Sequence, residues 1–400
     1  MDFAWTEEQE ALRRSVVPFA QKELIGDIIE EDWRQEFSWD GWKKCAEFGI
    51  QGLPASEEYG GGDADILTTV CAFEALGYGC RNNGLIFSIG AHLSGSVIPL
   101  MRFGTEAQKR KYLPKLARGE WVGAAAGTDQ GVNPGKEHGE GSASGHPGAL
   151  NTSRASEDRR LRAHREGNQW VLNGSQNFVS NAGLADLVIV LAGVDSEAGK
   201  PGTGAFILER NAPGFAVGPT LETMGLRTSA AAEITLTDCQ VPEEHVLGGD
   251  LGPAVLKAAK QWEQLCSLAS QVGMMQRQLE ICARYAAERT QFGQPIGRFP
   301  AVAAKVAEMD IRLEASRLLL YRAAWLAGPG KDAERETAIA KAYGAEAAVQ
   351  SCRDSVQIHG GYGYMTEYQI ERDLRDALAG KMYAGSTDAQ KMTIARLRGL

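Results

Sequence analysis

Hydrophobic periodicity changes twice along this chain. It passes from the three-to-four spacing of helices to short β-rich runs near residue 167, and back again near residue 252. The first helical zone runs from about residue 3 to 119. In it Thr6 with Gln9 and Thr105 with Gln108 have capping-box spacing, where a Thr hydroxyl and the later amide satisfy backbone N–H groups at a helix start. Gly49, Gly104 and Gly119 punctuate the helices as helix-ending residues. The middle zone holds WVL (170–172), DLVIVL (186–191), AFIL (205–208) and EITLT (233–237), and Asn173-Gly174 reads as a hairpin turn. Long helices follow at roughly 254–290, 300–326 and 333–358.

Helices at both ends with strands between them predict an α+β chain. An α body assembled from both ends carries an inserted small β domain, with boundaries at 1–122, 123–248 and 249–400. Residues 131–158 are rich in Gly, Ser, His, Pro and charge and cannot bury enough apolar surface to fold alone, so a long mobile loop is expected there.

Composition narrows the function classes. With 44% hydrophobic and 23% charged residues in 400, the chain is globular in composition. A net charge of -9 gives no overall footprint for nucleic acid. Seven cysteines without a CxxC pair read as reduced thiols, with neither a disulfide framework nor a metal site. The opening MDFAWTEEQE is acidic where a targeting signal would be basic, and no apolar run approaches membrane-spanning length, so a cytoplasmic protein without a membrane span is expected.

Two motifs carry chemistry. AERTQFGQPI (287–296) closes a long helix with an Arg and a close-approach Gly, which suits a pyrophosphate; a helix end with a solvated Arg is the alternative. QIHGGYGY (357–364) is a Gly-rich turn after a helix, without the strand-then-helix setting of a nucleotide fingerprint, and His359 in it reads as a hydrogen-bonded helix-end histidine.

In this order and spacing, those motifs with ERDLRD (371–376) and GSTD (385–388) closely resemble the acyl-CoA dehydrogenase family of flavoproteins. LPASEEYGG (53–61), FGTEAQKRKYLPKL (103–116), LNG (172–174), FVSNAG (178–183) and DCQVP (238–242) extend the resemblance over nearly the whole chain. It implies helical N- and C-terminal domains around a β domain, with FAD completed by a neighbouring subunit of a homodimer or homotetramer. Carried over by residue, Arg289, Gln291 and Phe292 meet the diphosphate and adenosine part across the dimer, beside Gln357 and Gly361. Phe178 and Ser180 flank the isoalloxazine, Ser386 and Asp388 fall at the adenine end, and Thr128 is the flavin-side residue retained from an otherwise altered segment.

The implied reaction is α,β-dehydrogenation of an acyl-CoA or acyl-carrier-protein thioester. A Glu removes the α proton, hydride goes to flavin N5, and an electron-transferring flavoprotein takes the electrons. Most relatives place that Glu directly before the Gly-Thr-Ser segment, where this chain has Ala384. The isovaleryl and long-chain types supply it from another helix, in register with Glu263 here. Alone, Glu263 reads as a solvated helix Glu beside Lys260; with Ala384 it reads as the base, and Ala384 keeps a backbone N–H for the thioester carbonyl. Cys266, Ser267 and Ser270 on the same face would leave room for a substrate tail. Gln264 stands where relatives commonly carry Arg, and NNGLIFS (82–88) looks like members acting on carrier-bound acyl groups. A flavin oxidase or N-hydroxylase, and a degenerate non-catalytic flavin binder, are the alternative readings.

Overall fold

The computed structural model describes residues 5–127, 160–195, 201–328 and 331–400. The N-terminal part comprises α1 (Glu7–Glu23), α2 (Ile28–Arg34), α3 (Trp39–Glu47), α4 (Ile66–Gly79), α5 (Asn83–His92), α6 (Ile98–Phe103) and α7 (Glu106–Ala117). Both predicted capping boxes form, at Thr6 and Thr105. Gly49 and Gly119 follow their helices in the left-handed region (φ 91° and 63°), whereas Gly104 ends α6 in extended backbone.

The strands are β1 (Gly123–Ala126), β2 (Arg162–Glu166), β3 (Gln169–Ser180), β4 (Leu187–Asp195), β5 (Pro201–Glu209), β6 (Phe215–Thr220) and β7 (Ala231–Pro242). They form one sheet in the order β1-β4-β2-β3-β7-β6, with β5 added beside β4. Asn173-Gly174 is not the hairpin turn expected. β3 runs through it, and the turn falls before Gln169. The physical reason is a bulge: the β3–β7 register shifts between Leu172 and Gly174, Gly174 takes φ 122°, and Asn173 exchanges hydrogen bonds with Asp238 across the pair (2.8 and 3.1 Å).

Helices then return as α8 (Gly252–Glu288), α9 (Pro300–Leu326), α10 (Glu334–His359), α11 (Ile370–Ala379) and α12 (Thr387–Arg396), with the short strands β8 (Thr290–Gln291) and β9 (Gln294–Pro295) after α8. The two ends share one core, in which Leu76 and Ile89 join Leu265, Val272 and Leu320, while the sheet has a second core around Val190, Phe206 and Ile234. Close approach of α4 and α8 requires glycine: a Cβ on Gly77 would lie 2.0 Å from the Ser270 carbonyl oxygen, and one on Gly273 2.0 Å from that of Glu74.

One expectation about apolar runs is corrected. Joined by a π-helical turn, α5 and α6 make an unbroken helix, Asn83–Phe103, long and apolar enough to cross a membrane, and 89% of its apolar window is buried inside the protein. Its composition is that of a core helix.

Candidate active site and flavin cradle

Glu263 lies on α8, half-buried. The next residue fixes its surroundings. Gln264 Nε2 donates to the Ala384 carbonyl at 2.8 Å, and Gln390 Nε2 reaches the Ala384 and Gly385 carbonyls at 3.4 and 3.2 Å. The amide that replaces the expected Arg thus ties the helix of Glu263 to the turn of Ala384. Ala384 itself is buried and sits at φ 56°, a conformation that costs a non-glycine residue about 1 kcal/mol or more. Its carbonyl is held twice, while its N–H makes no backbone hydrogen bond among the described residues.

Two residues missed by sequence reasoning complete the cluster. Lys341 of α10 is 1% exposed and donates from Nζ to the Gly380 carbonyl at 2.5 Å, with the Tyr383 ring centroid 4.2 Å away. Burial lowers its pKa to about 7, against the raising influence of Glu263. Tyr383 packs against Phe87 (ring centroids 4.8 Å apart); burial raises its hydroxyl well above the ordinary range, partly countered by a hydrogen bond with Ser267, while Glu263 raises it further. Sequence gave no signal for Lys341, because a helical Lys is exposed by default.

The three small residues expected to leave tail space beside Glu263 differ in their surroundings, and Cys266 leaves none. Cys266 is fully buried in the shared core, and the Ser270 backbone faces Gly77 of α4. Only Ser267 turns toward Tyr383.

A second group gathers at the far end of α8. Arg289, Gln291, Gly360, Gly361 and Tyr362 line a cavity of about 580 Å³ with Tyr285 and His359. A Cβ on Gly360 or Gly361 would meet nothing within 4 Å, so their backbone stands open, and the Arg289 guanidinium lies 5.6 Å from the Tyr362 ring centroid. An exposed cation beside an open glycine backbone fits a diphosphate. His359 is the helix-end histidine anticipated, with Nδ1 2.8 Å from the Ser355 carbonyl oxygen and its ring stacked on Tyr285 at 4.3 Å. Gln357 is exposed one turn before Gly361, and Phe292, at φ 51°, is 92% exposed.

Phe178 and Ser180 form a third group at the end of β3. Phe178 is 73% exposed at φ 60°, and Asn181 anchors the bend through its Nδ2, which donates to the Ser88 and Gly123 carbonyls at 2.8 and 3.2 Å. Three expected site residues, Phe178, Phe292 and Ala384, are therefore among the non-glycine residues held at positive φ. Ser386 caps α12 by accepting from the Ala389 N–H, and Asp388 pairs with Lys391 at 3.0 Å. Thr128 and the 131–158 loop lie outside the described residues. Among the described residues, no hydrogen bond, ion pair or ring contact joins Phe178 and Ser180 to the Arg289 cavity.

Three domain models of one family match the chain: the acyl-CoA dehydrogenase N-terminal domain at 6–120, the middle domain at 148–239 and the C-terminal domain at 251–397. The chain belongs to the acyl-CoA dehydrogenase family. It is an oxidoreductase of that type, and FAD is the family's cofactor. An acyl-CoA dehydrogenase of Bacillus subtilis (strain 168) is 35% identical over 395 residues, 98% of each chain. The crystal structure of the prolyl acyl carrier protein oxidase AnaB is similar at TM-score 0.89 and 40% identity, covering 99% of this chain and 100% of that one. PigA with FAD and proline superposes at TM-score 0.89 and 33% identity, covering 100% of both chains. These likenesses confirm the expected fold of helical N- and C-terminal domains around a β domain.

Proposed function

We propose that this protein oxidises the Cα–Cβ bond of an acyl thioester, with Glu263 as the base and the Ala384 N–H as a donor to the thioester carbonyl. The reading rests on one observation: Gln264, next to Glu263, is hydrogen-bonded to the Ala384 carbonyl at 2.8 Å, which ties the helix of Glu263 to the turn whose Ala384 N–H makes no backbone hydrogen bond among the described residues. The donor stabilises the enolate-like oxygen as the Cα proton passes to the Glu263 carboxylate. Bound FAD would supply the acceptor for the hydride that leaves the β carbon, which with loss of the Cα proton leaves a C=C bond. Phe178 and Ser180 would flank its ring, and Ser386 and Asp388 would lie toward its adenine end.

The Arg289 cavity and the Phe178 group are separate in one chain, which supports an FAD site shared between two subunits. Arg289, Gln291, Phe292, Gln357 and Gly361 of one copy would hold the diphosphate of the flavin seated on the other. A stripe of exposed Ile311, Leu318 and Trp325 at seven-residue spacing along α9 favours further association into a homotetramer. Arg289→Ala should lower the FAD retained on purification at least tenfold, because it removes the cation beside the open glycine backbone. Flavin content per chain, measured by absorbance, checks this; full occupancy would remove Arg289 from the site.

The acyl group is expected to be compact, since Tyr383 and Lys341, whose ionisation Glu263 influences, pack together and Phe87 packs on Tyr383. The likeness to AnaB and to PigA makes a carrier-borne prolyl group the first candidate, ahead of acyl-CoA. Anaerobic titration of the FAD-loaded protein with prolyl-carrier protein and with butyryl-CoA should bleach the oxidised flavin band with the first and much more slowly with the second. No bleaching by either would overturn the thioester reading. An electron-transferring flavoprotein is the expected acceptor in a cytoplasmic enzyme. AnaB's description as an oxidase supports a second reading in which oxygen accepts the electrons, and oxygen uptake without added acceptor would select it.

A further inference from the structure

The most unusual group the proposed reaction leaves unused is the ammonium of Lys341. A lysine is almost never fully buried unless paired, yet this one is 1% exposed in the middle of α10. Its Nζ donates to the Gly380 carbonyl at 2.5 Å and lies 4.2 Å from the Tyr383 ring centroid. Gly380 can carry that carbonyl so deep because it lacks a side chain; a Cβ there would lie 1.9 Å from Gln271 Nε2. Lys341 thereby grips both ends of the segment 380–383 that leads into Ala384. The same Lys341 feels the charge of Glu263 across the cluster.

We infer that Lys341 is a positioning residue for the base: its buried ammonium clamps the Gly380–Tyr383 segment onto α10, opposite the Gln264 tie to α8, and holds Glu263 ionised. The inference rests on the assignment of Glu263 in the proposed function. Other titratable groups around the ammonium are few among the described residues. Tyr383 faces it from the clamped segment, with Asp376 of α11 acting on Tyr383 from behind. Lys381 and Glu346 form an outer ion pair at 2.9 Å, and α12 contributes the neutral Gln390. Glu263 is therefore the anion on α8 that the ammonium senses. A cation at this range favours the charged carboxylate, so removing it makes the carboxylate easier to protonate.

The test compares wild type with Lys341→Met and Lys341→Gln, the second keeping a donor toward Gly380 without the charge. Flavin bleaching by prolyl-carrier protein, or by butyryl-CoA if that is the faster substrate, is followed from pH 5.5 to 9. In both variants the acid limb of the bleaching rate should move upward by about one pH unit or more, with at least tenfold slower bleaching at pH 6 and KM changed much less. A merely structural lysine would leave the limb in place.

A second readout needs no substrate. Lys341 has a folded pKa near 7 against 10.5 for the free group, so the unfolded chain binds the extra proton between these values and stability rises with pH through that window. Urea unfolding of the FAD-loaded protein should show this rise in wild type and not in Lys341→Met. In Glu263→Gln the rise should begin at lower pH, because the carboxylate no longer supports the ammonium. An unmoved window together with an unmoved acid limb overturns the inference. If Glu263→Gln bleaches like wild type, the base assignment itself has failed, and the positioning role falls with it.

Discussion

Glu263→Gln is expected to slow thioester-driven flavin bleaching by about 10²- to 10⁴-fold, the range contributed by a positioned general base, while leaving flavin content unchanged. The amide keeps the volume of the carboxylate and cannot take a proton from the α carbon. Gln264 and Gln390 continue to hold Ala384, so the thioester donor stays where it is. FAD retention should be untouched because the Arg289 cavity lies at the other end of α8. Single-turnover bleaching under anaerobic conditions, with bound flavin quantified on the same sample, makes the measurement. Equal rates in wild type and variant would show that another group is the base. Loss of flavin along with activity would show that Glu263 is needed to assemble the site.

Much of this arrangement was legible in the sequence, for identifiable physical reasons. The long helices fell at Gly252–Glu288, Pro300–Leu326 and Glu334–His359, close to the residues that periodicity indicated, because each buries one face against the shared core. Both Thr–Gln capping boxes were readable because a cap is a local event. Asn173-Gly174 misled because the dipeptide reports a local backbone preference, and that preference serves a bulge as well as a turn. Glu263 could be singled out only through the resemblance and the gap at Ala384, since nothing local distinguishes it from a solvated helix Glu. Lys341 was illegible: its place depends on Gly380 and Tyr383, 39 and 42 positions later, which only the folded chain brings to it. Cys266 was read as leaving substrate space because the sequence does not show that it lies in the shared core.

The motif 371–376 had no assigned role in the sequence, and its largest expected effect is on stability. Asp373→Ala should destabilise the protein by about 3–5 kcal/mol, the cost of removing one partner of a buried ion pair. Asp373 is 3% exposed on α11 and meets the Arg277 guanidinium at 3.1 Å, with Asn83 Nδ2 at 2.8 Å and the Gln278 amide also donating to it. Arg277 in turn donates to the Gly77 and Cys80 carbonyls, both at 2.5 Å, at the C-terminal end of α4. One carboxylate therefore joins α5, α8 and α11, and through Arg277 the end of α4. Without it Arg277, 8% exposed, would remain as a buried charge with carbonyls alone for company. Burial by itself would raise the Asp373 pKa, but Arg277, Arg372 and the amide donors outweigh it and hold the group below its ordinary 3.8. A depressed folded value means that this stability is present above pH 3.8 and is lost as pH falls through the folded pKa below it. Urea midpoints for wild type, Asp373→Asn and Asp373→Ala at pH 7 should fall in that order, because Asn keeps an acceptor but no charge. A midpoint for Asp373→Ala within error of wild type would show that the Arg277–Asp373 pair does not hold α11 to the body built from the two ends of the chain.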